Sequence, residues 1–355
     1  MANYYVKPDG DDGDDGTTFA LAKATLNAVY ALCSAGDTVY VCSSEASPFV
    51  DILLELSGAD NVTFIGTSPT DGAPYTGNTR ATISVTGASN IITAINDNNS
   101  CKFHNIQLLG VSTSIGYICY QQATVIGNIF INCEFKGLQI GIYTYKVGSI
   151  ASSDVHAYNC IFNQCTYGIY IYDLGSNYAA SGICNVFNCI FKGCSYGICR
   201  DAPYLTAGIY ACQNMLNIQS CRFIDNSVGI RNIGSGTIDI LNSVFYLNSS
   251  HGISLNAVYA YFNLVNSIFH SNGGYAISSD VTSGFGSFHG YCDYNCYYNN
   301  TTGIVNANIN GGTTPGSHNI LTNPLFASTT LGSEDFRLQE ESPCLGTGIG
   351  YTSGQ

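Results

Sequence analysis

The chain has no tryptophan, two methionines and eight prolines in 355 residues, and only 10% of its residues are charged, against roughly 25% in an average soluble domain. With so few ions, solubility rests on Asn, Ser, Thr, Tyr and Gly. Basic residues are scarcest: 11 Lys and Arg stand against 24 Asp and Glu, a formal charge of -13, which argues against a nucleic-acid partner. No apolar run approaches the ~20 residues of a membrane-spanning helix, so no membrane insertion is expected, and "MANYYVKPDG" lacks the basic and apolar regions of a secretory leader. The expectation is a product made in the cytoplasm without a signal peptide. No Pro-rich, Ser-rich or charged linker interrupts the chain, which predicts one elongated domain rather than two globules.

What the sequence does have is repetition. "NCIFNQCTYGIYIYD" from Asn159 returns as "NCIFKGCSYGICRD" from Asn188, 29 residues on. A looser form, a small residue, any residue, then an aromatic, ends at Phe103, Phe135, Phe162, Phe191, Phe223, Phe245, Phe269 and Tyr298, at steps of 32, 27, 29, 32, 22, 24 and 29 residues. An uneven period in this range marks a solenoid whose turns carry loops of differing length. "CIF" and "GIYIY" alternate inward and outward, with no helical period, so each turn is built of short strands. Asn132, Asn159, Asn188, Asn242, Asn266 and Asn295 precede the small residue, where Asn tolerates a left-handed bend. Gly141, Gly168, Gly197, Gly229 and Gly252 follow the aromatic and are each followed by Ile.

These features predict an all-β, single-stranded, right-handed parallel β-helix, with turns about 4.8 Å apart and like residues stacked in columns. In this register the aromatics form one interior column. Cys101, Cys133, Cys160, Cys189, Cys221 and Cys296 form another, with Ser243 and Ser267 in the same slot. Their side chains point in parallel, which predicts packed free thiols rather than bridges. Phe19, Ala22, Leu26, Val29 and Cys33 have helical spacing, predicting a capping helix over the first coil that hides its sheet edge. The expected divisions are a cap over 1–57, the solenoid over 58–322 and an irregular closing segment over 323–355.

With "YYVKPDGDDGDDGTT" and "GDTVYV" at the start, the "N-C-x-F…G-I" coils, and "NPLF…DFRL…SP" at the end, the chain resembles the pectate-lyase-like superfamily of right-handed parallel β-helix proteins. That superfamily includes polysaccharide lyases, glycoside hydrolases, epimerases, bacteriophage tailspikes and adhesins, so the resemblance implies a fold before it implies an activity. It also implies that a substrate groove runs along the sheet that follows the Gly-Ile bends.

On that sheet the first outward column reads Tyr143, Tyr170, Cys199, Arg231, Ser254 and Ser278, and the second Tyr145, Tyr172, Asp201, Ile233 and Asn256, with Lys146 and Asp173 at the edge. Tyrosine ladders suit sugar rings, which stack their C–H faces on aromatics; they also stabilise a sheet with no ligand at all. Tyr143, Tyr145, Lys146, Tyr170, Tyr172 and Arg200 are the candidate glycan-binding residues. Asp173, Asp201 and Arg231 are the candidate catalytic ones. A glycosidase needs two carboxyl groups at ~5 to 9 Å, for which Asp173 and Asp201 are the best pair. A lyase needs a base, for which Arg231, Arg200 and Lys146 qualify, opposite a Ca²⁺-holding carboxylate cluster that here is thin, with Asp154, Asp173 and Asp201. Alternatively, Asp201 and Arg231 form a plain surface ion pair. "DGDDGDD" from Asp9 has oxygen ligands but not the spacing of an EF-hand, and the six histidines lack ligand spacing, so neither a metal nor another cofactor is expected.

The preferred reading is a bacteriophage-type structural or adhesive virion protein, released by lysis, whose partners are a polysaccharide or cell-surface glycan and other virion subunits, with a trimer as one open oligomeric state. The alternative is a carbohydrate-active enzyme, lyase or hydrolase, acting along the same face.

Overall fold

The computed structural model describes residues 1–51, 53–95, 100–121, 125–146, 153–173, 182–201, 215–233, 236–255, 260–279, 291–305 and 316–347. Three parallel sheets run through them, one of 11 strands and two of 10. Each coil gives one strand to each sheet in turn. One coil, for example, places Ser153–Tyr158 in the first sheet, Ile161–Asn163 in the second and Tyr167–Asp173 in the third. Within these sheets each strand pairs with its equivalents in the coils before and after, so the chain is a single right-handed parallel β-helix.

Left-handed residues turn both tight corners. The first to second sheet corner uses Asn105, Asn132, Asn159, Asn188, Ser220, Asn242, Asn266 and Tyr294, with φ from 51° to 56°. Stacked amides join neighbouring corners: Asn132 Nδ2 donates to Asn105 Oδ1 at 2.7 Å, and Asn188 Nδ2 to Asn159 Oδ1 at 2.8 Å. The corner after the second sheet uses Gly137, Gln164, Gly193, Asp225, Leu247, Ser271 and Asn299.

The interior column of the second sheet is an aromatic stack. Phe135, Phe162, Phe191, Phe223, Phe245 and Phe269 are fully buried, with centroids 4.5 to 4.8 Å apart and planes within 4°. The repeated glycines lie against these rings. A Cβ on Gly197 would sit 2.8 Å from the Phe223 ring and 2.5 Å from the Gly229 carbonyl oxygen. Close approach, more than a bend, is what excludes a side chain there.

The ends of the predicted columns are shifted. Phe103 belongs to the first sheet, stacked between Phe64 and Phe130 at 5.1 and 5.0 Å. The second-sheet partner of Phe135 is Leu108. At the far end Tyr297 stacks on Phe269 at 5.4 Å, while Tyr298 sits beside His270. "YNCYY" fits the repeat in two registers one residue apart, and a one-residue slip exchanges the faces; Tyr294 takes the bend that was expected at Asn295.

Asn295, not Cys296, therefore fills the thiol slot, and its Oδ1 accepts the Ser267 N–H at 2.9 Å. In the same ladder Cys160 N–H donates to Cys189 Sγ at 3.4 Å, and Cys221 N–H to Ser243 Oγ at 3.2 Å. Cys101 lies in a first-sheet column beside Asn128, whose Oδ1 accepts its N–H at 3.1 Å. The described cysteines are free thiols, and burial pushes Cys101 up to about 12. A further interior ladder was not read from the sequence. Asn226 Nδ2 donates to Asn248 Oδ1, Asn248 to Asn272 and Asn272 to Asn300, at 3.0, 2.8 and 2.7 Å.

Both ends differ from expectation. The helix is only Leu26–Tyr30, capped by Thr25, whose Oγ1 accepts the Ala28 N–H at 3.2 Å; Leu26, Val29 and Tyr30 are buried. The residues before it form turns and bends that flank the edge of the first strand, with Tyr5 N–H to Gly16 O at 2.7 Å and Lys23 N–H to Tyr5 O at 2.9 Å. In the acidic turn the Asp12 carboxylate accepts from the Ala24 and Thr25 N–H groups and the Thr25 hydroxyl, and Asp15 from Thr17.

The closing segment lies along the side of the solenoid. Phe326–Ser328 and Asp335–Leu338 pair as an antiparallel hairpin, and Phe326, Phe336 and Cys344 bury Ile224, Val244, Tyr246, Ile268 and Cys296 on the outer face of the second sheet. Lys192 and Glu334 tie it down at 2.9 Å.

Candidate glycan-binding face

The outer face of the third sheet keeps the register expected for it. Tyr143 pairs with Tyr170, Tyr170 with Cys199, Cys199 with Arg231, Arg231 with Ser254 and Ser254 with Ser278. One column over, Tyr145 pairs with Tyr172 and Tyr172 with Asp201. Lys146 pairs with Asp173 one position beyond; the side chains of both are outside the described residues, and so is Asn256.

The rings form a compact wall. Tyr143 and Tyr170 stack at 5.2 Å with planes 7° apart, and Tyr145 and Tyr172 at 5.6 Å and 9°. Two tyrosines that the outward columns omitted extend the wall: Tyr167 stacks on Tyr170 at 4.8 Å and on Tyr196 at 5.2 Å. Both precede the repeated Gly, in "TYGIY" and "SYGIC", so the repeat itself held the signal. Because the planes are parallel and separated by about one coil, the faces are turned to one another along the axis. Ring edges and hydroxyls are what the wall offers outward. Stacking of a sugar on these faces, the expected mode, is therefore largely pre-empted by the ladder.

Arg231 closes the wall. Its guanidinium carbon lies 5.3 Å from the centre of the Tyr196 ring, a cation–π contact that holds a planar fork of donors in place. Asp201 stands in the neighbouring column, and among the described residues neither it nor Arg231 makes an ion pair. The surface-ion-pair reading thus gives way to two charges not spent on each other. Burial, and then the Asp201 charge, raise the Tyr170 phenol above its ordinary value, and burial raises Tyr167, so both remain hydrogen-bond donors at neutral pH. Cys199, buried between Tyr170 and Arg231 in the column, is pushed up to about 12 by burial, with Arg231 acting the other way.

Arg200 is a correction. Alternation along Tyr196–Asp201 turns it inward, where it is 1% exposed and pairs in register with Ile171 and Asn232. It cannot touch a ligand on the outer face. Asp173 and Asp201 do not share a column, since Asp201 is in register with Tyr172. Among the described residues no three His, Cys, Asp or Glu side chains converge as metal ligands.

No protein-family model matches the sequence, and no curated protein matches it. Solved structures do match the fold. A GH136 lacto-N-biosidase from Eubacterium ramulus is 14% identical with a TM-score of 0.55, over 90% of this chain and 67% of that one. Pectate lyase Pel9A is 15% identical with a TM-score of 0.55, over 97% and 90%. ORF18 of Geobacillus virus E2 is 13% identical with a TM-score of 0.51, over 90% of this chain and 60% of its own length. At such identities the likeness is one of architecture, and that architecture is the right-handed parallel β-helix.

Proposed function

We propose that this protein is a virion-associated adhesive or structural β-helix that grips a glycan along the outer face of its third sheet. The observation that carries this reading is the tyrosine wall over Tyr143, Tyr145, Tyr167, Tyr170, Tyr172 and Tyr196, ending at the uncommitted charges of Arg231 and Asp201. Positive ring edges, phenol donors and a guanidinium fork together favour hydroxyl-rich and anionic groups over flat apolar ones. A phage protein and two proteins named for carbohydrate chemistry among the structural neighbours support the same reading. Contacts with other virion subunits belong to it as well.

A second reading, a lyase or hydrolase, is favoured by Asp201 and Arg231 standing near one another without pairing. Asp201 would be the acid or base, and Arg231 the group that holds or deprotonates substrate.

Retention on immobilised polysaccharides, acidic and neutral, tests the first reading; release of reducing or unsaturated ends tests the second. Retention without turnover, weakened by Tyr170→Ala and Arg231→Gln, is the expected outcome. Turnover abolished by Asp201→Ala would replace adhesion with catalysis. Absence of both retention and turnover across the panel would remove the glycan reading.

A further inference from the structure

The strap formed by the closing segment has an ionisable group at its centre. His270, in the outer column of the second sheet, is 9% exposed and lies among the Tyr246, Tyr298 and Phe326 rings at 5.3, 5.2 and 5.8 Å. Phe326 belongs to the strap and packs edge-on against Phe336, which also meets Tyr246. The His270 Nδ1 atom is buried with no hydrogen-bond partner.

Among the described residues, the titratable groups around it offer no compensating carboxylate. From the solenoid come the phenols of Tyr246 and Tyr298 and the Cys296 thiol; from the strap comes the Cys344 thiol. Tyr246 donates its hydroxyl to the Thr329 carbonyl at 2.6 Å. The Glu334 carboxylate is held by Lys192 and bears on Tyr246. A proton on His270 would therefore place a cation in an aromatic, desolvated layer that no described residue opposite neutralises.

We propose that His270 makes the strap a pH-sensitive clasp, seated on the solenoid when the imidazole is neutral and released when it is protonated. Burial depresses the His270 pKa in the seated state, whereas in the released state it has an ordinary value near ~6.5. Seating is then fully favoured above that value. It is lost as pH falls below it, by up to about tenfold per pH unit until the seated-state pKa is reached. Release uncovers Val244, Ile268 and Cys296, stacked in one column along the axis, and Ile224 in the column beside them.

Hydrogen exchange of the full chain, corrected for intrinsic rates, at about pH 7.5 and about pH 5.5 reads this directly. Strands Phe326–Ser328 and Asp335–Leu338 are expected to lose protection by about tenfold at the lower pH, while the interior strands Ile161–Asn163 and Ile190–Lys192 hold theirs. In His270→Gln, neutral at both values, strap protection should not change with pH. If that variant folds poorly, His270→Phe offers an aromatic alternative, and an NMR titration of the wild-type histidines should show one depressed pKa that tracks strap protection. Protection independent of pH, or lost equally in both variants, overturns the proposal. Loss that begins only near ~4, the carboxylate range, would assign the clasp to the Lys192–Glu334 pair instead.

Discussion

Two aromatic ladders climb this molecule on the same coil spacing, and they differ in where they stop. The inner one runs from Phe135 to Tyr297, an aromatic in every coil it passes. The outer column holds tyrosine in two coils, at Tyr143 and Tyr170, and then continues through Cys199, Arg231, Ser254 and Ser278. The inner ladder has no freedom to stop, because each ring covers a glycine of the coil beside it and a smaller residue would leave a void. The outer column folds with tyrosine, thiol, guanidinium or hydroxyl. Stacking contributes to each ladder, but only the inner one is demanded by the fold. The outer tyrosines are thus free to serve the surface they face.

The sharpest way to break that contrast is to remove one ring from each. Phe191→Ala should cost ~3 to 5 kcal/mol, read by chemical or thermal denaturation. Tyr170→Ala should cost at most ~1 kcal/mol. Equal losses would mean that both ladders are structural. Next in size is Gly197→Ala. The added Cβ, at 2.5 Å from the Gly229 oxygen and 2.8 Å from Phe223, overpacks the inner ladder by ~1 to 3 kcal/mol. If Gly197→Ala proved neutral, close approach would not be the reason for the repeated glycine.

The repeat made the inner coils and the tyrosine register legible because period, bend residue and alternation all agreed over Asn132 to Phe269. Legibility failed where only some of these were present. At Phe103 the aromatic lacks a preceding Asn bend, which lies two residues later, at Asn105. At "YNCYY" two registers satisfied the pattern; in the structure Tyr294 takes the bend, Tyr297 joins the inner stack and Cys296 packs against the strap. The strap was invisible for a different reason: the outward Ile224, Val244 and Ile268 read like ordinary strand residues until something distant in sequence covers them. At the candidate site, alternation alone would have turned Arg200 inward. The separation of Asp201 from Arg231 rests on the Tyr196 ring holding the guanidinium, a side-chain choice that no spacing encodes.

For the outer face, Arg231→Lys keeps the charge but loses the planar fork and its stacking on Tyr196. Glycan retention should weaken by about tenfold, ~1.4 kcal/mol, with no change in melting. Retention unaffected by Arg231→Lys but lost in Arg231→Gln would point to charge rather than geometry.

The smallest effect on the fold, and the finest test of the contrast, is Tyr170→Phe. The ring stays, so stability should move by no more than ~0.5 kcal/mol, yet one outward donor is gone and glycan retention should fall. The pH profile gives the sign. With the phenol raised by burial and by Asp201, the wild-type donor persists through the ordinary tyrosine value near ~10. Wild-type retention should therefore stay level as pH rises from neutral to about 9, and the deficit of Tyr170→Phe should be constant over the same span. A deficit that disappears with rising pH would mean that the hydroxyl had already ionised, and that the wall holds its ligand by ring edge alone.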